Sequence, residues 1–167
     1  MTTRSVRRAR PPLARSLGAA ALFAAAVLAT ALVGGLTAVD TATDYARVEL
    51  PAWAPPSWLF SPVWTVLYVL VAVAGWLVWR ASGWRGAAAA LTVYAVQLVL
   101  NALWPPLFFT AARYALAFGE LVLLWIAVAA TVVLFRRHST TAAALLLPYL
   151  AWVTYAGALN LAIWQLN

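Results

Sequence analysis

The sequence predicts an all-α integral membrane protein, a five-transmembrane-helix bundle with a long loop between helices 1 and 2. Three observations predict it. Of 167 residues, 66% are hydrophobic and only 9% are charged, with a mean hydropathy of +0.90. Soluble domains carry roughly a quarter charged residues, so this chain lacks the polar surface to coat a globule. Five apolar runs reach the roughly 20 residues that a helix needs to cross the hydrocarbon core. Finally, the arginines alternate between the connections that separate those runs.

The runs are Leu17–Val39, Pro62–Arg80, Ala87–Phe109, Ala115–Phe135 and Thr140–Leu166. They divide the chain into a basic tail, residues 1–16, and one membrane domain, 17–167. The first run follows Arg4, Arg7, Arg8, Arg10 and Arg15, as a signal peptide would. It is longer than the roughly 7–15 residues of a signal core, which predicts a retained helix, with cleavage as the alternative. Between the second and third runs lies a turn bearing Arg80 and Arg85. The fourth is followed by Arg136 and Arg137, and only Arg47 and Arg113 fall on the opposite side. The positive-inside rule then sets the amino terminus in the cytoplasm and the carboxyl terminus outside.

Asp40, Asp44 and Glu49 fall on the outer side, within the long connection 40–61. Its end, P-A-W-A-P-P-S-W-L-F-S-P-V-W at 51–64, holds four prolines and three tryptophans. Proline fixes φ and holds the preceding residue out of helix, so Pro51 to Phe60 reads as a stiff extended loop. Pro62 fits the first helical position of the second span, where a missing N–H costs nothing. The later connections are short and predict antiparallel neighbours among spans two to five. Pro105-Pro106 and Pro148 are expected to distort the third and fifth spans.

Composition narrows the chemistry. The chain has no cysteine, no lysine and one histidine, His138, in the basic stretch after span four. This removes disulfides, thiol chemistry and a lysine Schiff base. It leaves no donor set for a metal site. The net charge of +7 suits topological signalling and lipid headgroup contact rather than nucleic acid. The alanine- and arginine-rich, lysine-free composition suits a high-GC bacterium, hence a bacterial cytoplasmic membrane.

Polar residues within spans should face the bundle interior or a cavity. Gln97, Asn101 and Trp104 share one face of the third span by their spacing of four and three. Trp152, Ala156 and Asn160 do the same in the fifth span, and Trp64 and Tyr68 in the second. Most of these lie in the outer half of their spans, beneath the 40–61 loop. A lidded aromatic pocket is one reading. Interhelical hydrogen-bond glue, worth about a kcal/mol, is the other, and spacing does not choose between them. Glu120, the one carboxylate inside a span, marks a functional site by default, but its shallow depth favours a structural role, pairing with Arg113 or bonding a neighbouring helix. Trp53, Trp58, Trp84 and Trp164 suit an interfacial aromatic belt, and Trp76 and Trp79 belt or packing.

Several of these residues belong to longer motifs. W-A-P-P-S-W-L-F-S-P-V-W-T-V-L-Y at 53–68, N-A-L-W-P-P-L-F-F at 101–109, P-Y-L-A-W at 148–152 and A-L-N at 158–160 resemble the TspO/MBR family, the tryptophan-rich sensory and translocator proteins. The likeness runs in order from about Tyr45 to the end. It implies a five-helix bundle, a homodimer, and a ligand cavity capped by the loop between helices one and two. It implies protoporphyrin IX-like tetrapyrroles and other hydrophobic small molecules as ligands, with no required cofactor and no nucleic-acid partner. By motif it assigns Trp64 and Trp152 as the tryptophans linked to porphyrin binding and light-dependent breakdown. Tyr68, Asn101, Trp104 and Ala156 match cavity positions, and Tyr45 a loop tyrosine that closes over ligand. The animal members' sterol motif needs a tyrosine and a basic residue near the end of helix five. Residues 159–165 have neither, which removes the sequence ground for a sterol ligand.

The expected function is therefore a membrane binding, transport or sensory protein for tetrapyrroles. The alternatives are an enzyme-like photodegradation of porphyrin using Trp64 and Trp152, or a scaffold that regulates a membrane partner. Axial haem ligation is disfavoured, because no histidine, cysteine or internal methionine lies within a span.

Overall fold

The structure, a computed structural model, describes residues 12–37, 43, 45 and 47–167. Arg4, Arg7, Arg8 and Arg10 of the basic tail, residues 38–39 of the first run, and Asp40 and Asp44 lie outside the described residues. Helix α1 is Leu13–Thr37. A 3₁₀ turn, Ser57–Leu59, leads into α2, Phe60–Gly86. Helix α3, Ala88–Pro105, continues as a π-helical turn, Pro106–Thr110. Helix α4 is Tyr114–Arg136, and the last span is two helices, α5 (Thr140–Leu145) and α6 (Leu147–Leu166). Among the described residues, five spans are long and apolar enough to cross a membrane. Their outward faces carry Leu22, Leu28, Val69, Leu123 and Ile126, all more than half exposed. Apolar side chains facing outward on every side are what a lipid solvent favours.

The prolines act where the sequence placed them. Pro105-Pro106 converts the end of α3 to π geometry, closed by the Ala111 N–H to Pro106 O bond at 2.9 Å. Pro148 has no N–H to give the preceding turn, and the fifth span breaks at Leu146, just before it.

Span two differs from expectation at both ends. Helix α2 begins at Phe60, because the 3₁₀ turn after Pro56 already winds the chain. Pro62 is therefore third in the helix, still within the first turn, whose N–H groups lack intrahelical partners. At the other end the Arg80–Arg85 stretch is helical up to a break at Gly83, whose φ of 69° lies in the left-handed region. Only glycine enters that region without strain.

Neighbour order also departs from simple sequence order. Spans three and four, and four and five, pack side by side, whereas α2 and α3 meet only sparsely. Helix α1 lies between them and packs on both. The wedge is Phe23, buried against Gly75 of α2 and edge-on to Tyr94 of α3, with ring centroids 5.8 Å apart. Tyr94 stacks in turn on Phe135 of α4, and Phe23 stacks on Trp84. One aromatic column thus joins α1, α2, α3 and α4 at one end of the bundle. Hydrogen bonds reinforce it, from Trp76 Nε1 to Ser16 O at 3.1 Å and from Tyr94 Oη to Val71 O at 3.2 Å.

Gly75 makes the wedge possible. A Cβ there would meet Phe23 Cδ1 at 2.7 Å and Tyr94 Cζ at 2.9 Å. Gly75→Ala is expected to cost about 1–3 kcal/mol through overpacking, read as a lowered unfolding midpoint in detergent. Gly119→Ala is the control, since nothing lies within 4 Å of its Cβ position. It should be stabilising by up to about 1 kcal/mol.

Candidate functional site

Opposite the aromatic column, the bundle opens into a cavity of about 580 Å³ between α1, α2, α3, α4 and α6. That volume lies within the roughly 300–1,000 Å³ range of small-molecule pockets. Helix α2 supplies its aromatic wall, because Phe60, Trp64 and Tyr68 recur every four residues and share a face. Trp64 and Tyr68 stack at 5.2 Å and 30°. Across the cavity stand Asn101, Trp104 and Phe109 of the third span, with Val153 and Ala156 of α6. Helix α1 closes one side through Ala31, Gly34 and Gly35, where the absence of bulk leaves room.

The floor is a hydrogen-bonded chain. Tyr68 Oη donates to Asn101 Oδ1 at 2.9 Å, and Asn101 Nδ2 donates to Tyr149 Oη at 2.9 Å. Tyr149 Oη then donates to Gln97 Oε1 at 3.0 Å. Gln97, Asn101 and Tyr149 are all buried. The chain therefore ties α2, α3 and α6 together while leaving one amide edge beside the cavity. Near the π turn, Trp104 Nε1 donates to Asn160 Oδ1 at 3.1 Å, and Asn160 Nδ2 donates to Tyr114 O at 2.9 Å.

Of the residues singled out in the sequence, Trp64, Tyr68, Asn101, Trp104 and Ala156 line the cavity. Gln97 and Asn160 lie behind the lining as the second members of the two polar links. Trp152 is not part of the lining but meets the lining residue Phe60 edge-on at 5.9 Å. Its indole nitrogen is buried with no partner among the described residues. Tyr45 meets Phe60 at 5.5 Å from the loop. Its phenol is buried, also without a partner, and burial, with the nearby Tyr155 adding to it, raises its pKa above the ordinary tyrosine range.

The loop is fastened to the end of α6. Asn167 Oδ1 accepts from the Glu49 N–H at 2.9 Å, and its Nδ2 donates to Glu49 O at 3.1 Å. Tyr155 Oη donates to Trp53 O at 3.1 Å. Trp58, expected as belt, is 70% exposed yet stands at the cavity mouth together with Ser57.

Sequence reasoning missed Tyr149, Phe60 and the α1 face. The inward face of α6 is Tyr149, Val153, Ala156 and Asn160, spaced four, three and four. The stripe drawn from Trp152 shares Ala156 and Asn160 with that face and departs from it only at Trp152 itself. Glu120 requires a correction. Both of its oxygens are buried with no hydrogen-bond partner among the described residues, so it neither pairs with Arg113 nor bonds a neighbouring helix.

Two outcomes follow from these placements. Asn101→Leu leaves the Tyr68 and Tyr149 hydroxyls short of partners and is expected to cost about 1–3 kcal/mol, seen in thermal unfolding. An unchanged midpoint would show that the floor does not hold the helices. Glu120→Leu removes an unpartnered polar group from the interior and should raise the midpoint at neutral pH. A lowered midpoint would reveal a partner for the carboxylate.

Comparison with known proteins agrees with this architecture. The family model described as the TspO/MBR family matches residues 21–165. The chain is 42% identical to the "Translocator protein" of Ovis aries over 125 residues, covering 74% of each chain. It is 39% identical to "Protein CrtK" of Rhodobacter capsulatus over 151 residues, covering 87% of this chain and 92% of that one. It is 42% identical to "Tryptophan-rich protein TspO" of Archaeoglobus fulgidus over 143 residues, covering 85% and 92%. A match across nearly the whole chain, on a five-span membrane bundle, makes this protein a member of the TspO/MBR family.

Proposed function

We propose that the protein binds tetrapyrroles of the protoporphyrin IX type, and other flat hydrophobic molecules, in the cavity beneath the loop, as a carrier or sensor. The observation that carries this reading is the lining. Trp58, Phe60, Trp64, Tyr68, Trp104 and Phe109 surround a space whose polar lining is limited to Ser57, Ser61, Thr65, Asn101 and the Tyr68 hydroxyl. Aromatic walls favour flat π-systems through stacked and edge-on contacts. A few fixed polar groups set orientation. The Asn101 amide and Tyr68 hydroxyl, locked by their shared bond, fill that role. The relatives' printed names, translocator and sensory protein, fit carriage or sensing of a ligand.

The reading extends to setting. Arg80 and Arg85 end α2, and Arg136 and Arg137 follow from α4 at the same end, where Ser82 Oγ and His138 Nδ1 are 2.8 Å apart. Arg113 starts α4 at the other end. This distribution supports an amino terminus in the cytoplasm of a bacterial membrane. A homodimer that needs no cofactor besides the ligand completes the proposal.

A second reading, light-dependent porphyrin breakdown, draws on one placement. Trp64 lines the cavity, and Trp152 stands one ring behind, through Phe60, in a series that continues to Tyr155 at 5.6 Å. In such a reaction Trp64 would give an electron to the excited pigment, and dioxygen would accept it as the terminal oxidant.

Titration with protoporphyrin IX in the dark, followed by the Soret band and tryptophan quenching, tests the proposal. Saturable binding is expected, weakened at least tenfold by Ala156→Trp, which fills the cavity, and several-fold by Trp64→Phe. Absence of saturable binding, or unaltered binding in Ala156→Trp, would refute it. Illumination of the same samples separates the readings. Stable pigment favours a carrier or sensor, and pigment loss that requires Trp64 favours breakdown.

A further inference from the structure

A second concavity, of about 1340 Å³, lies at the opposite end of the bundle from the aromatic cavity. It is formed by the start of α1, the end of α2 and the turn after α4. Arg15, Arg80 and Arg85 stand on its lining, and all three are exposed. Leu22, Leu77 and Ala19 form an apolar wall beside them. Trp84 completes that wall, held by stacking on Phe23 at 5.6 Å and by contact with Trp79 at 5.8 Å. The left-handed turn at Gly83 carries Trp84 and Arg85 off the α2 axis and shapes the groove.

Among the described residues no acidic group offsets the charge of this groove. The described acidic residues are Glu49 and Glu120, and neither lines it. Among the described residues no carboxylate pairs with Arg15, Arg80 or Arg85. Arg80 is held instead over the Trp76 ring, its guanidinium carbon 5.0 Å from the centroid. Leu22, on the apolar wall, is itself 55% exposed on the lipid-facing surface of α1. Groove and bilayer are therefore continuous at this point.

We propose that this groove is a binding site for an anionic phospholipid of the adjacent leaflet. The phosphate is held among Arg15, Arg80 and Arg85, and an acyl chain lies along Leu22, Leu77 and Trp84. Guanidinium groups suit phosphate because their planar fork donates two parallel hydrogen bonds. Basic recesses between helix ends recognise anionic headgroups through the same chemistry. A soluble phosphate compound would meet the charges but leave the apolar wall unused. A neutral lipid would use the wall but leave the guanidinium groups unpaired. Only an amphipathic anion satisfies both.

The test uses full-length protein purified in a neutral detergent. Dioctanoyl phosphatidylglycerol, dioctanoyl phosphatidylcholine and inorganic phosphate are titrated separately, with binding read by native mass spectrometry and by the shift in unfolding midpoint. The expected result is saturable phosphatidylglycerol binding at least tenfold tighter than phosphatidylcholine, not displaced by millimolar inorganic phosphate. Arg80→Gln/Arg85→Gln should weaken it at least tenfold. Arg15→Gln, an exposed single change, should weaken it several-fold, guarding against a folding defect in the double variant. Arg80→Lys/Arg85→Lys should recover only part of the affinity. Equal binding of the two lipids, unaltered binding in the glutamine variants, or displacement by inorganic phosphate would each overturn the proposal.

Discussion

The chain Tyr68–Asn101–Tyr149–Gln97 is the interaction on which the cavity depends. In a bilayer no hydrophobic force drives one apolar helix onto another, since lipid tails are as apolar as leucine. Spacing between helices is therefore set by packing and by polar groups that must find partners inside the bundle. Here three buried residues and one at the cavity edge link α2, α3 and α6 through three hydrogen bonds. They hold those helices together below the cavity while the aromatic side chains above them stay apart.

The two ends of the bundle solve different problems. At the arginine-rich end, Trp84, Phe23, Tyr94 and Phe135 meet ring to ring in a continuous column, and Gly75 lets α1 approach closely enough to enter it. At the other end α1 lines the cavity with Gly34 and Gly35, and nothing lies within 4 Å of a Cβ placed on Gly35. Small residues thus serve opposite ends differently, as a tight contact at Gly75 and as open space at Gly35. The described part of the loop is tied to the last helix by its backbone, at Glu49 to Asn167 and at Trp53 to Tyr155.

Much of this was legible in the sequence, for identifiable reasons. Spans were visible as apolar runs, and the Gln97–Asn101–Trp104 stripe was visible because polar residues are rare enough in such runs to stand out. Tyr149 was not visible. In the sequence it stands only as a member of the P-Y-L-A-W motif, and only the three-dimensional rotation of α6 turns it inward. Trp152, expected on the cavity face, touches the lining residue Phe60 and is not itself in the lining. The place of α1 between α2 and α3 was equally hidden, since chain order predicts neighbours from short connections. That place depends on the fit of one phenylalanine against one glycine. The partnerless carboxyl of Glu120 could not be read from its distance in sequence to Arg113, because a helix places them by direction as well as by spacing.

The central claim is that the aromatic cavity, and not the lipid-facing surface, holds the ligand. Co-crystallisation with zinc protoporphyrin tests it directly through the anomalous signal of the metal. The account predicts one peak between α2 and α6, within van der Waals reach of the Trp64 ring and beneath Trp58. A peak on the outer faces of α1 or α4, with the cavity empty of porphyrin, would contradict it.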